Sequence, residues 1–364
     1  MNSWCMRKDS DNCKLRQQVI DYCNLDLIGI CETYLRAGES LEGYLKHFRW
    51  FGNNRKNVHV NARSGSGGVG LFVKETVLSA FDVNVLDENC EDILWVKLSA
   101  RNFDCTLLIC VCYLPPARSS RYVNASEFYN NLLGQIYKFQ GDGIVCVMGD
   151  FNSRCGDLED FIEGVDNIPT RQVVDHVTNE YGEFLCDMLI SANMCMLNGR
   201  SRSNNFTCKG ASVVDYALVL HEQLKYFENF SVVDSQLLFE EAGCVGSFDP
   251  LRSIPDHSML QWLFNLADFC PIDDGTPSNN SVNVEKRVTK FKLTDLPDIF
   301  MNNEKCESLV SEKVAQLQQD EVTNKQISDI YQDFCHIVNQ EMSDKLECKH
   351  IVLGRDVNKR KKHV

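Results

Sequence analysis

The pattern of apolar and polar positions divides the chain near residue 266. Before that point, short apolar runs of strand length are interleaved with stretches of helical period. In residues 9–24, Leu15, Val19, Ile20 and Cys23 recur at helical spacing and predict an amphipathic helix that Asn24 ends. Residues 25–31 are an apolar run that predicts a buried strand delivering Glu32 at its end. Residues 48–52 predict a short strand, 63–68 (Arg-Ser-Gly-Ser-Gly-Gly) a flexible turn, and 69–73 a further strand. No helical period follows Gly67-Gly68, which points to a hairpin turn rather than a phosphate-cradling loop. Two apolar strands follow, 93–98 and 105–113, joined by a polar turn at Arg101-Asn102 and stopped by Pro115-Pro116. Residues 126–139 predict a helix with Phe128, Leu132, Leu133 and Ile136 on one face, and 143–148 a buried strand. A second helix is predicted over 179–193, with later strands at 194–197, 213–220, 230–233 and 258–264.

More strands than helices, mixed along the chain, predict an α+β protein with sheets covered by helices in layers. Residues 1–266 read as one domain. Residues 267–285, rich in Pro, Asp, Asn and Ser, read as a linker. Residues 286–364 read as a helical extension without strands, ending in a basic tail from Arg355 to Lys362.

Composition narrows this picture only a little. With 44% hydrophobic and 24% charged residues, the chain has ample material for a core. A net charge of −14 excludes a protein that coats nucleic acid by bulk electrostatics. A locally basic groove on an acidic body, or an acidic cluster holding a divalent cation, remains compatible with it. The 18 cysteines are scattered, often inside apolar runs, with no zinc-type Cys/His spacing; they read as small buried hydrophobes. No apolar run is long enough to span a bilayer, and residues 1–9 lack the apolar segment of a secretory signal. The expected setting is nuclear or cytoplasmic, with no membrane partner.

Chemistry-capable residues gather at strand ends. These are Glu32, Tyr113, Asp150 with Asn152, and the adjacent pair Asp256-His257. After the run 143–148, Gly149 is expected to let the chain turn. Asp150 and Asn152, two apart on an extended segment, are then expected to project the same way. A carboxylate that accepts a proton beside a carboxamide suits the activation of water near a phosphate. The bland alternative is a capped turn, because Asp and Asn are common turn formers. Asp215 lies within the apolar run 213–220, where a carboxylate is costly to bury without a partner, and His257 is its natural partner. The other histidines have no comparable context.

Taken in order, these residues resemble the endonuclease/exonuclease/phosphatase family, the fold of DNase I and the apurinic endonucleases. The resemblance covers about residues 3–266 and rests on five segments: Ile30-Cys31-Glu32-Thr33, Cys112-Tyr113-Leu114-Pro115, Gly149-Asp150-Phe151-Asn152, Val214-Asp215-Tyr216 and Pro255-Asp256-His257-Ser258. It implies a four-layer α/β/β/α sandwich and metal-assisted phosphodiester hydrolysis with Mg²⁺ or Mn²⁺ as cofactor. It further implies Glu32 as a metal ligand, Asp150 as base for the attacking water and Asn152 as its positioner. His257, oriented by Asp215, would bind a phosphate oxygen, Tyr113 would add a hydrogen bond, and Asp256 would assist metal or histidine placement. The segments 30–35 and 212–219 look most like endonuclease domains of non-LTR (LINE-type) retrotransposons, which implies a DNA substrate and a neighbouring reverse transcriptase. The phosphoinositide 5-phosphatases usually carry Trp-Cys-Asp-Arg where this chain has Val214-Asp215-Tyr216.

Cys5 departs from the family pattern, standing where an Asn is usual in the first strand; a thiol does not replace the carboxamide's paired donor and acceptor. Arg63, Arg118, Arg121, Arg154, Arg200 and Arg202 lie in loops that could meet a nucleic-acid backbone, though each is by default a solvated surface charge. Two other readings stay open at this stage. One is a weakened, domesticated or truncated copy serving as an interaction module through residues 286–364. The other is a hydrolase of a different phosphoester, because loops set substrate in this fold.

Overall fold

A computed structural model describes residues 10–56, 65–117, 119, 121–201, 204–244, 256–266, 269, 286–291, 297, 300–318, 324–346 and 348–353. The expectations placed on Cys5, Arg63, Arg118, Arg202, the linker apart from Phe269, and the basic tail lie outside these residues. The chain forms two compact units, Met1–Asp273 and Asp274–Val364.

In the first unit the element order is α1 (Ser10–Cys23), β1 (Leu27–Cys31), β2 (Phe48–Asn53), β3 (Val69–Lys74), α2 (Glu75–Ala80), β4 (Phe81–Asp87), β5 (Ile93–Ala100), β6 (Thr106–Tyr113), α3 (Ala125–Phe139), β7 (Ile144–Asp150), α4 (Glu180–Ala192), β8 (Met194–Met196), β9 (Asp215–Leu220), β10 (Phe227–Val233), α5 (Ser235–Glu241) and β11 (Met259–Phe264). The fold is α+β, as expected. A six-stranded sheet of order β4-β5-β6-β7-β9-β8 faces a layer made of β1-β3-β2 and the pair β10-β11. The β6/β7 pairing is parallel, and the others in this sheet are antiparallel.

Each layer is held by its own apolar contacts. α3 and α4 cover the outer face of the six-stranded sheet through Phe128, Leu132, Ile136, Leu185 and Leu189 against Trp95, Leu108, Val145 and Leu218. The buried Trp95 indole donates to Gln135 Oε1 at 3.0 Å, so an aromatic anchor between sheet and helix leaves no orphaned N–H. Between the layers, Leu71 and Val73 of β3 and Phe230 and Val232 of β10 pack with Leu94, Val96, Ile109 and Val219. On the far side, α1 contributes Ile20 to one cluster with β1–β3, and Val19 to another with α5 and β11. An apolar cavity of about 510 Å³ opens between β1 and β11, with Met148 and Trp262 among its lining.

Side-chain caps fix the helix starts. Asn124 Oδ1 accepts from Glu127 N, Asn179 Oδ1 from Gly182 N, and Asp234 Oδ1 from Gln236 and Leu237 N, satisfying amides that the helix itself leaves unbonded. α4 ends where Asn193 turns left-handed at φ 51°. The predicted turn before β3 carries two left-handed glycines, Gly67 (φ 57°) and Gly68 (φ 83°).

Three features depart from the expectations. α2, β4 and α5 carry no strong periodic signal. β4 reads Phe-Asp-Val-Asn-Val-Leu-Asp and is an edge strand with half-buried or exposed positions after Phe81, so its sequence resembles a loop. The second unit is not purely helical: β12 (Lys286–Phe291) and β13 (Cys348–Leu353) pair antiparallel around α6 (Glu304–Leu317) and α7 (Asn324–Lys345) in the sequence. Strands so charged (Lys286-Arg287, Lys349-His350) hide the apolar alternation that would reveal them.

Gly149 does not turn the chain either. It is a ladder residue of β7, opposite Cys112 on one side and Tyr216 on the other, and the strand continues to Asp150. A Cβ at this position would lie 1.9 Å from the Cys112 carbonyl oxygen, so the missing side chain permits close strand approach. Backbone cannot yield as a flexible side chain does. Gly149→Ala is therefore expected to lower stability by about 3 kcal/mol, read as a shifted urea midpoint. A midpoint within error of wild type would refute the close-approach account.

Candidate active site

Strand register assembles the site. Tyr113 is the last residue of β6, opposite Asp150, the last of β7, and Asp150 is in turn opposite Asp215, the first of β9. Residues directly opposite on neighbouring strands share a face and lie about 5 Å apart at Cβ. Three chemistry-capable side chains thus line one rim of the sheet. The facing layer supplies the rest: Glu32 follows β1 by one residue, and His257 precedes β11 by two.

Asp215 and His257 form the centre. His257 Nδ1 lies 2.9 Å from Asp215 Oδ2 and 3.1 Å from Oδ1. Asp150, Asp215 and His257 each offer a ligand-type atom, and these atoms lie within 4.8 Å of one another. Asp150 is 2% exposed and Asp215 7%, so neither carboxylate has bulk water to solvate it. Burial acts to lower the His257 pKa, but the Asp215 hydrogen bond, the Cys208 contact and the charges of Asp215 and Asp150 outweigh it and raise the value to about 11. Asp150 is pushed well up by burial and then by the Asp215 charge, with Glu32 adding to this and His257 opposing it.

The turn after β7 follows the capped-turn reading of Asp150 and Asn152 and corrects the expectation that they project together. Asn152 is left-handed at φ 48°, and its N–H donates to Asp150 Oδ1 at 3.1 Å, which is a capped turn. The two side chains therefore do not project from one extended segment. Asn152 Nδ2 donates to Leu114 O at 2.8 Å, and Asn179 Nδ2 to Asn152 O at 3.1 Å, so the turn is tied to the end of β6 and the start of α4.

Glu32 sits in the left-handed region at φ 56°, with Tyr34 at φ 52°. Thr33 N donates to Gly68 O at 3.1 Å and Tyr34 N to Gly67 O at 2.9 Å, which pins this conformation against the glycine turn. Glu32 Oε1 accepts from Tyr113 Oη at 2.5 Å and from Tyr34 Oη at 2.8 Å. Tyr113 thus reaches Glu32 rather than pointing to open space, and burial with the Glu32 charge drives its pKa up. Burial and then Glu32 push Tyr34 up to about 12, and the Arg121 guanidinium stacks 4.6 Å above its ring.

Other site residues proposed on sequence grounds fall elsewhere. Asp256 is 44% exposed and pairs with Lys209 at 3.3 Å, outside the Asp150–Asp215–His257 group. Arg200 corrects its expectation as a surface phosphate contact: its side chain is 3% exposed and its two terminal nitrogens grip Asp160 at 2.6 and 2.8 Å. Arg154 is likewise committed, making a two-point contact with Asp175 at 2.8 and 2.5 Å. Both arginines stabilise loops behind the rim.

Sequence reasoning missed Thr207 and Cys208. Thr207 Oγ1 accepts from Val214 N at 2.9 Å and Asp215 N at 3.1 Å, and Thr207 O accepts from Ser258 N at 2.7 Å. This single residue ties the start of β9 to the segment carrying His257. Cys208 forms a bridge with His257 and places Sγ 3.4 Å from Nε2. Neither has a sequence signal beyond proximity to the Lys209-Gly210 turn, whose two residues are left-handed.

The sequence matches the Endonuclease/Exonuclease/phosphatase family over residues 5–220. With over half of its length matched, the chain belongs to that family; the match ends before His257. No curated protein matches the sequence. Among solved structures, the AP endonuclease LMAP from Leishmania major is similar, with a TM-score of 0.50 at 10% identity over 70% of this chain and 83% of that one. The 3′-5′ exonuclease NExo from Neisseria meningitidis gives 0.48 at 13% identity, over 70% and 95% of the two chains. The endonuclease domain of TRAS1, a telomere-specific non-LTR retrotransposon, gives 0.44 at 14% identity, over 73% and 97%. At such identities the likeness concerns the fold alone. Among the described residues no helix is long and apolar enough to cross a membrane.

Asp160 offers a test of how the rim is supported. Burial pushes its carboxyl up, but the Arg200 hydrogen bonds and charge, the Met196 amide and Arg171 outweigh burial and lower it. A folded-state pKa below the unfolded value of about 3.9 contributes stability that is complete above pH 4 and is lost as pH falls through the folded value. Asp160→Asn is expected to cost about 3–5 kcal/mol at pH 7 by stranding buried guanidinium charge. Urea midpoints at pH 7 and pH 3 should lie closer together in this variant than in wild type. An unchanged gap would remove Asp160 from the acid response.

Proposed function

We propose that this chain is a divalent-metal-dependent phosphodiester hydrolase that nicks DNA. The observation that carries the reading is the Asp215–His257 contact of 2.9 Å with the Asp150 carboxyl in the same 4.8 Å group at a sheet rim. The donor set fits a hard divalent cation, Mg²⁺ or Mn²⁺. Glu32, Asp150 and Asp215 bring three carboxylates together against one imidazole; burial first, and then the charges of Asp215 and Glu32, hold the Asp150 carboxyl up. Glu32, held by two tyrosine hydroxyls, would be the principal ligand. Bound there, the cation supplies charge stabilisation at the phosphate and the leaving oxygen.

The protein's own groups do the remainder. Asp150 accepts the proton of the attacking water as its oxygen bonds to phosphorus. His257, kept protonated by Asp215, donates from Nε2 to a non-bridging phosphate oxygen where charge develops. The bond from phosphorus to the leaving oxygen breaks, that oxygen takes a proton from solvent, and Asp150 returns the water's proton to solvent. Tyr113 orients Glu32 instead of contacting phosphate directly, and Asn152 holds the turn that aims Asp150. The segments 30–35 and 212–219, similar to those of non-LTR retrotransposon endonucleases, support DNA over other phosphoesters.

Supercoiled plasmid nicking tests the reading. Conversion to open circles is expected with Mg²⁺ or Mn²⁺ and none with EDTA. Asp150→Ala and His257→Ala should each lose about 10³-fold in rate while keeping the wild-type far-ultraviolet circular dichroism spectrum, with His257→Ala melting earlier because it strands buried carboxylate charge. Tyr113→Phe, which removes a hydroxyl donor to Glu32, should lose about tenfold and require more metal. A folded wild-type chain that never nicks, or an Asp150→Ala variant that nicks normally, would sink the proposal.

A further inference from the structure

Asp215 occupies Nδ1 of His257, so only Nε2 is left to meet a phosphate, and at 3.4 Å from Nε2 sits the sulfur of Cys208. We infer that Cys208 is a positioning residue that caps the His257 imidazole, and that a phosphate oxygen must displace its sulfur to bind. This rests on the reading of His257 as the phosphate-binding group and names what regulates access to it.

The main chain of Cys208 is fixed on both sides. It bridges antiparallel to His257 and to Ser212, with Cys208 N donating to Ser212 O at 3.0 Å. Next to it, Thr207 is anchored to β9 and Ser258, and Lys209 N donates to Asp256 O at 2.6 Å. The ribbon therefore cannot swing as a unit without unpairing the segment that carries His257. The sulfur can leave by rotation about one bond, Cα–Cβ, and Cys208 is half-buried rather than sealed, so solvent lies within reach. Ten of the thirteen free cysteines described are buried, most of them in the apolar layers.

Sulfur suits a removable cap. It is a weak hydrogen-bond partner, so it holds the ring in place between turnovers yet gives way to a charged phosphate oxygen, which bonds an imidazolium far more strongly. The triangle Asp215–His257–Cys208 thus fixes both ring nitrogens in the resting site, one by a strong bond and one by a weak bond.

The test uses inorganic phosphate as probe and the ¹⁵N resonances of the His257 imidazole as readout, so it does not depend on turnover. In the full chain, Cys208→Ala is expected to lower the phosphate concentration giving half of the Nε2 shift by about three- to tenfold, the range of one modest hydrogen bond. The second arm treats wild type with methyl methanethiosulfonate, which transfers CH₃S to the cysteine sulfur and releases methanesulfinate. With Cys208 modified, confirmed by peptide mass, the half-shift concentration should rise more than tenfold and return after dithiothreitol. Cys208→Ala treated alike should not change. KM for plasmid nicking should follow the same order, with kcat moving less. Three results would overturn the cap: Cys208→Ala needing as much phosphate as wild type or more, a methylthiolated chain that binds phosphate normally, or a Cys208 that the reagent never reaches. A wild-type chain that shows the expected phosphate order without nicking supports the cap and counts against the nuclease reading alone.

Discussion

Two buried carboxylates stand opposite each other across the β7/β9 ladder, and the rest of the rim is arranged to tolerate them. Like charges directly across a sheet repel, and Asp150 and Asp215 are both nearly closed to water. The imidazole of His257 offsets this charge, which is why it must be held accurately. Asp215 holds one ring nitrogen. Thr207, bonded at once to the β9 amides and to the Ser258 amide, keeps the two segments from drifting apart. Ser235 Oγ donates to the His257 carbonyl, adding a tie from α5.

The Glu32 side of the rim is built by a different device. Arg55 and Asp92 form a buried ion pair, and Asp92 Oδ1 also accepts from Gly68 N at 2.6 Å. Gly68 in turn receives the Thr33 amide, so the pair reaches the left-handed Glu32 through the glycine turn. Burial drives the Asp92 carboxyl up, against the pull of Arg55. Buried pairs of this kind add little net stability, because desolvation consumes much of the Coulombic gain. Their effect here is placement: breaking one leaves a stranded charge, so the glycine turn and the strand end it braces keep one geometry.

The arginines show why charge along a sequence is a poor guide to a binding surface. Arg154 and Arg200 sit in loops, as a phosphate contact would, yet each is spent on a neighbouring aspartate. Asp160 receives Arg200 with two bonds and has Arg171 at 3.8 Å, while its other contact is the Met196 amide. These groups fasten the long connection between β7 and β9 to the sheet. That connection carries Thr207 and Cys208, so the loop pairs act on the site at second hand.

The sequence alone determined the layered α+β plan, most strands and helices of residues 10–266 and the family, and it singled out as candidates Glu32, Tyr113, Asp150, Asp215 and His257, which the structure brings to one rim. These were legible because an apolar run that ends in a polar residue marks a strand end whichever partner the strand takes, and because burying Asp215 demands a partner. What sequence period does not encode is register and loop packing. Tertiary structure alone placed Tyr113, Asp150 and Asp215 side by side, made Gly149 a close-approach residue instead of a turn, and removed Arg200 into the interior. It also brought Cys208 to His257, 49 positions away. Strands whose polar residues face solvent at an edge, as in β4, escape a reading based on alternation, since nothing local separates them from a loop.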